Sequence, residues 1–531
     1  YSWQNRRNER TNLTVGTTSQ PDMPSLANNG AILVGNDSYD GKEKVSVFAM
    51  ANVGYKDMVY LDGTVRNDWS STLSPGNNSY FYWSTGLSFI LTQAFDIPKE
   101  ILTFGKLRGS VAMVGNDAPF DSLYDGLNLS STYLGMPYYM TDNIRKNPNL
   151  KPEQTTSYEV GADFRFWNNR ISVDFTYYWK STTDQIMRAS VSSASGYKER
   201  FVNAGEIQNR GAELTASITP VKTKNFEWTT IFNWSKNNSK VVSLTPGVDR
   251  YQVRAAGADG CISYVEVGKP YGQMYGTDWQ RDAAGNVIAD VSGKPLEQKD
   301  VYIGCVEPDF LGGWKNQFRY KGFDFSFLFD FKKGGLFYSE TAYKANNMGN
   351  SIKSLEGRDE YFFSKWVLDE SDQERAGYLR PTDVPFPADA QANRVPYMDG
   401  ARPKGVYFPG RVFEASIEGL GGQPVVNDWV KPDVMFCHIS GRNAKMNTYD
   451  ATYVKLREVA LGYTFPKKLL RKTPFQSLRL SAVGRNLAIL FQNTPQGIDP
   501  EATSTTGNGQ GFEQGYPLPT ATYGFDLKVT F

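Results

Sequence analysis

The stretch "SYEVGADFRFWNNRISVDFTYYWK" (157–180) decides how the rest of the chain reads. Its first half alternates Tyr158, Val160, Ala162, Phe164 and Phe166 with Glu159, Gly161, Asp163 and Arg165. Its second half alternates Ile171, Val173, Phe175, Tyr177 and Trp179 with Ser172, Asp174, Thr176, Tyr178 and Lys180. A two-residue period sends successive side chains to opposite faces, so each half is a strand with one apolar and one polar face. Asn168-Asn169 between them reads as a hairpin turn.

The same alternation recurs. "KVSVFAMANVGY" puts Val45, Val47, Ala49, Ala51, Val53 and Tyr55 on one face, and a tight turn at Lys56-Asp57 leads into "VYLDGTVRNDW". "FDFSFLFDF" sets five phenylalanines, Phe323 to Phe331, against Asp324, Ser326 and Asp330, and "TYGFDLKVTF" repeats the pattern up to Phe531. Thirteen such segments are predicted, near 45–55, 57–69, 80–91, 105–115, 155–167, 170–183, 208–219, 225–238, 311–321, 323–335, 448–465, 475–490 and 520–531. Their connections alternate in length: small at 56, 92–104, 168–169, 220–224, 322 and 466–474, and larger at 70–79, 116–154, 184–207, 239–310, 336–447 and 491–519.

Up-and-down strands place all short turns at one end and all long loops at the other, the arrangement of outer-membrane barrels. The fold expected is therefore all-β, an antiparallel transmembrane β-barrel, with lipid covering the apolar faces and the long loops extracellular. Trp69, Trp83, Trp167, Trp179, Trp228 and Trp234 fall in or beside these strands, where interfacial girdles sit. No apolar run reaches 18 residues, which excludes helical spans but not strands. Thirteen is odd where single-chain bacterial barrels are even, so further strands are expected upstream. Residues 1–44 are expected to form an extracellular loop at the end of that upstream barrel, and 45–531 to be the C-terminal barrel portion.

Composition narrows function. A net charge of +1 argues against nucleic acid as a partner. The single histidine, His438, argues against a His-based metal site or a Ser-His-Asp triad. Three cysteines make no disulfide framework, though Cys261 and Cys305 could bridge within one long loop. Carboxylates are plentiful, but none is paired with a base or a metal at defined spacing, so no catalytic residue, metal or cofactor is expected.

Several stretches then resemble one family. "NPNLKPEQTTSYEVGADF" (147–164), "NAGEIQNRGAELT" (203–215), "VGKPYGQMYG" (267–276), "PDFLGGWKNQFRYKGFDFSFLFDFKKGG" (308–335), "TYVKLREVALGYTFP" (452–466), "GRNLAILFQNTPQGIDPE" (484–501) and the terminal "YGFDLKVTF" are similar to the barrel half of SusC/RagA-type TonB-linked outer-membrane transporters of Bacteroidota. The resemblance implies a 22-stranded barrel with an N-terminal plug, a SusD-like surface lipoprotein as lid, and import of glycans or peptides energised by TonB-ExbB-ExbD. No plug or TonB box lies in this chain. Many relatives carry an acidic "DxNxDG" run, whereas the matching region here reads "QKDVYIGCVEPD" (298–309). No metal is expected there, and Asp278, Asp282, Asn286 and Asp290 read as a solvated loop.

Transport needs groups that hold a polar solute rather than a nucleophile. In "RNDWSS" (66–71), Asn67 and Asp68 are candidate hydrogen-bond partners and Trp69 a stacking platform; the rival reading makes Trp69 a girdle aromatic. Tyr138, Tyr139 and Tyr407 are loop aromatics that either meet solute or pack their own loops. Arg165, Arg457 and Arg485 are expected to face the lumen or plug, with a bulge where the period slips between Arg457 and Val459. The 336–447 loop is expected to fold over the mouth and meet the lid. Phe531 is an expected signal for the barrel assembly machinery, or girdle packing. A passive porin-like channel and a cell-surface β-rich binding protein remain as alternatives.

Overall fold

The computed structural model describes residues 1–15, 32–133, 136–256, 260–285, 287–289, 295–351, 411–413, 424–425, 443–503, 509–515 and 519–530. Fourteen strands form one antiparallel sheet in chain order. They are β1 (Ser2–Val15), β2 (Ile32–Tyr55), β3 (Val59–Ser70), β4 (Ser79–Ile90), β5 (Leu102–Asn116), β6 (Glu153–Phe166) and β7 (Ile171–Thr183). The order continues with β8 (Glu206–Lys222), β9 (Phe226–Ser243), β10 (Phe310–Tyr320), β11 (Phe323–Lys333), β12 (Tyr453–Thr464), β13 (Ser477–Gln492) and β14 (Thr522–Thr530). Two compact units share the chain, one of residues 1–218 and 237–251, the other of 219–236 and 252–531.

The turns follow from residues that accept a left-handed backbone. Lys56 and Asp57 hold φ of 48° and 53°, and Met58 donates its amide to Tyr55 at 3.0 Å, closing the β2–β3 hairpin. Asn168 and Asn169 do the same between β6 and β7, at 54° and 64°. Connections at 56–58, 91–101, 167–170, 223–225, 321–322 and 465–476 lie at one end of the strands and alternate with longer ones at the other, save that the 71–78 connection is shorter than 91–101 and 465–476.

One expectation is overturned at the start of the chain. Residues 1–44 are not simply a loop: β1 pairs antiparallel with a β2 that begins at Ile32, in a ladder running from Ser2↔Ser46 to Val15↔Ile32. Fourteen strands replace the thirteen expected because "SWQNRRNERTNLTV" is polar at every position from Gln4 to Asn12, with Trp3, Leu13 and Val15 only at its ends. Backbone hydrogen bonding, which leaves no trace in side-chain periodicity, holds this strand.

The apolar rows are solvent-accessible. Val53 is 63% exposed, Leu87 53%, Val160 59% and Phe525 86%, while the buried clusters are built almost wholly from residues at or beyond the strand ends. Within the second unit the aromatic rows stack sideways along one face, Trp228 on Phe318 at 5.9 Å, Phe318 on Phe325 at 6.2 Å and Trp314 on Phe329 at 5.8 Å. A continuous exposed apolar surface of this extent is the face a membrane covers.

Two glycines carry the opposite face. Gly161 of β6 lies between Arg108 of β5 and Thr176 of β7 in the register. Arg108 reaches across it to bind Asp174 on β7 in a two-pronged pair at 2.8 and 3.0 Å. A Cβ on Gly161 would stand 2.7 Å from the Arg108 Nε. Gly462 of β12 has the same place beneath Arg479 of β13, which spans to Asp324 of β11 at 2.6 and 3.0 Å. Gly161→Ala should push the guanidinium off Asp174 and destabilise the folded band by about 1–3 kcal/mol, read from its urea midpoint. Gly63→Ala, where nothing lies within 4 Å, is the control and should stay within about 0.5 kcal/mol.

Candidate functional site

In the first unit the polar face ends, at the long-connection side, in a buried knot of charge. Asp68 (1% exposed) takes hydrogen bonds from Arg66 Nε at 2.7 Å and the Tyr82 hydroxyl at 2.9 Å. Asp117, just past β5, takes them from Lys42 at 2.7 Å and Ser70 at 2.6 Å, and Lys44 stands 3.3 and 3.8 Å from the two carboxylates. A buried carboxylate is tolerable only when so supplied with donors. The knot adjoins the apolar cluster of Leu73, Tyr80, Ala118, Leu123, Leu150 and Phe201, so ions and packing together fasten the 117–152 and 184–205 connections to strand ends.

The second unit has an equivalent built on a bulge. Both ladders of β12 shift past Arg457, between Leu328 and Phe329 on one side and between Leu456 and Glu458 on the other. The extra residue changes the parity, so Arg457 and Glu458 share the polar face. Arg457 donates to Asp330, to Glu501 at 2.7 Å and to Asn486 at 2.9 Å. Lys455 is buried between Asp499 and Glu501, both at 2.5 Å, and the Tyr453 hydroxyl also reaches Glu501 at 2.8 Å. Burial opposes ionisation of Glu501, but Lys455 and Arg457 outweigh it and hold the carboxyl below its usual range.

Above it the long connections build a core of their own. Cys261, Met274, Tyr338, Tyr343, Ala444 and Phe512 pack together, with Tyr338 and Phe512 fully enclosed. Ser339 caps the helix Glu340–Asn347, and buried Glu513 accepts from the Ser339 hydroxyl at 2.7 Å and the Thr341 amide at 3.1 Å. Asp278, expected in a solvated loop, is instead an anchor: it is 6% exposed and binds Lys445 at 2.6 Å and Asn443 at 3.3 Å. Cys261 and Cys305 are not joined by a disulfide.

The candidate residues do not converge. Asp68 is enclosed in its ion knot, Asn67 bonds Ser79 at 3.0 Å, and Trp69 lies on the apolar face. Alternation separates Asp68 from its two neighbours, so the trio forms no single cradle. Tyr139 is exposed on a hairpin of strands Leu127–Tyr133 and Met136–Thr141, whose Tyr138 side chain lies outside the described residues. Tyr407, Phe531, Cys437 and His438 also lie outside them. Arg165 bonds Asp163 at 3.2 Å and Arg485 bonds Glu458 at 3.0 Å; both keep about half or more of their side chains exposed on the polar face, at 47% and 66%. Arg457 is the enclosed member of the three. Sequence reading missed Asp117, Lys455, Asp499 and Glu501, although "VKLRE" and "GIDPE" carried the last three in plain view.

An antiparallel sheet with a lipid-exposed face, a charge-paired polar face and long folded connections at one end defines a transmembrane β-barrel protein. The family model "TonB dependent receptor-like, beta-barrel" matches residues 1–352, and the chain belongs to that family. This places it in the bacterial outer membrane. It is 26% identical to TonB-dependent receptor P3 of Formosa agariphila over 94% of this chain and 47% of that protein. It is 29% identical to TonB-dependent receptor SusC of Bacteroides thetaiotaomicron over 53% of this chain and 30% of that one. A solved structure of the RagAB peptide transporter shares the fold, with a TM-score of 0.64 and 18% identity over 96% of this chain and 50% of that one. The chain thus spans about half the length, or less, of the relatives it matches.

One electrostatic anchor is testable by pH. Burial resists the charge on Asp278, but Lys445, the Trp279 amide and Asn443 overcome it and hold its carboxyl below the usual range. A lowered folded pKa stabilises above the unfolded value and is lost as pH falls through the folded one. Trp279 beside it is buried, so its fluorescence, isolated by difference against Trp279→Phe, should change below about pH 4. Asp278→Asn should show the acid-state signal already at pH 7; an unaltered transition in that variant would refute the assignment.

Proposed function

We propose that the chain is the barrel portion of a TonB-dependent importer that takes up oligosaccharides or peptides with a SusD-like surface lipoprotein. TonB-ExbB-ExbD would supply the energy through a plug and a TonB box. The observation that carries the reading is the fastening of long connections to strand ends by buried ion knots, at Asp68/Asp117 and at Lys455/Glu501. A channel that merely leaks solute has no need of such a braced superstructure, whereas recognition above the strands requires rigid loops. Family membership supports the energised class, and the description of the RagAB neighbour as a peptide transporter supports the peptide class. Exposed Tyr139 and the open sides of Arg165 and Arg485 are the groups assigned to solute contact. The 336–447 loop is assigned to the lipoprotein.

The experiment is uptake of fluorescent oligosaccharides and oligopeptides by cells carrying the full-length protein, with and without a protonophore. Collapse of the proton gradient should reduce accumulation at least tenfold. Uptake that continues unchanged would reject energised import in favour of passive passage.

A further inference from the structure

Six short connections close the ends of the strands opposite the long loops, and their charges are unevenly divided. In the first unit, turns 56–58, 91–101 and 167–170 hold Lys56, Lys99 and Arg170 against Asp57, Asp96 and Glu100, a balance of zero. In the second, turns 223–225, 321–322 and 465–476 hold Lys224, Lys321, Lys467, Lys468, Arg471 and Lys472 with no acidic residue at all. The whole chain is only +1, so six uncompensated cations on one rim are a local feature.

Apolar groups stand among them. In "FPKKLLRKTPF" (465–475) the side chains of Lys467, Lys468, Arg471 and Lys472 are exposed, and Leu469 between them is 67% exposed while Leu470 is buried. Thr464 pairs with the neighbouring turn, donating its amide to Gly322 at 2.8 Å. A cleft of about 330 Å³ opens there between the 223–225 and 321–322 turns, lined by Lys224, Phe226, Tyr320, Lys321, Phe323 and Thr464. Lys321 lies over the Tyr320 ring at 5.3 Å, and Tyr320 and Phe323 are about half exposed. The cleft's acids are already engaged, Glu227 by Arg319 at 3.4 Å and Lys222 at 3.7 Å, and Asp324 by Arg479.

We infer that this rim binds the headgroups of anionic phospholipids in the leaflet it meets, with the phosphodiester held by Lys224, Lys321 and the 467–472 cations. Leu469, Tyr320 and Phe323 lie at the top of the acyl region, and the aromatic row of Phe318 and Phe325 continues beneath them. Cations interleaved with exposed apolar side chains suit an interface that is charged above and greasy below. An acidic protein surface would match the charge but leave the Leu469 and Phe323 side chains without a reason to be bare. The inference rests on the barrel reading, since only a membrane-spanning sheet brings its turns to a lipid headgroup layer.

The test is native mass spectrometry of the full-length protein in mild detergent, titrated with phosphatidylglycerol and, separately, with phosphatidylcholine. Phosphatidylglycerol should be retained preferentially, the preference falling about fivefold for each cation removed near the surface. Combining K467Q, K468Q, R471Q and K472Q should abolish it, and high salt should weaken it. Neutralising Lys56, Lys99 and Arg170 should leave it unchanged. Equal retention of the two lipids, or an undiminished preference in the quadruple variant, overturns the inference, as does salt-labile capture of an acidic protein in place of lipid. Gel mobility of unboiled samples is read in parallel. A normal folded shift without lipid preference rejects this inference alone, whereas loss of the shift in the parent protein rejects the barrel beneath it.

Discussion

Everything in this protein answers to one constraint: a backbone amide in hydrocarbon finds no water, so it must be paired within the sheet. The antiparallel ladders from β2 to β13 meet that demand strand by strand in chain order. Once the backbone is paired, side chains can only alternate, and the two faces acquire opposite solvents. Phe323, Phe325 and the residues like them need no second layer because lipid is their cover. The same logic drives the irregular chain out of the membrane, and the long connections accordingly build their own cores around Tyr338 and Phe512 or around Leu150 and Phe201.

The polar face meets a second demand, that of charge in a confined space. Its ions are satisfied mainly across strands: Arg108 with Asp174, Arg479 with Asp324, Lys180 with Glu159, and Arg485 with Glu458. The first two pairs skip a strand, and they can do so only because Gly161 and Gly462 leave the intervening position bare. The Arg457 bulge is a related device. By inserting one residue it turns Glu458, which regular alternation from Leu456 would send into lipid, back to the face where Arg457 meets Asp330 and Glu501. Glycine, bulge and ion pair are three ways of solving the same problem of aiming charge on a sheet whose period is fixed at two.

Periodicity made the strands legible wherever the two faces differ in solvent, and the left-handed turns at Lys56-Asp57 and Asn168-Asn169 were legible from hairpin spacing. The bulge could be read too, because a parity slip between Arg457 and Val459 is itself a sequence pattern. β1 was not legible: from Gln4 to Asn12 its side chains are polar at every position, and Trp3, Leu13 and Val15 at the ends are too few to show a period, so its ladder betrays it. The functional residues fared worse for a physical reason. Alternation tells which face Asp68 occupies, but not that Asp117, 49 positions later, shares its burial and its lysine. Partners separated by a loop are fixed by tertiary register, and one sequence carries no trace of that register. Asp278 misled in the same way, since an acidic residue in a long connection looks solvated until Lys445 is folded against it.

The pairing of these ions bears on what such a wall can recognise. The Arg108 and Arg479 guanidiniums are each already occupied by a carboxylate in two-pronged geometry. The face therefore offers hydrogen-bonding capacity with little net charge. Under the import proposed above, polar, largely neutral chains of hydroxyls or amides would suit it better than compact ions. Arg165 and Arg485 are the more exposed cations, paired with Asp163 on the same strand and with Glu458 on the neighbouring one. Under the proposed import, tight charge capture and onward release are opposed requirements, and a face neutralised in its own plane would favour release.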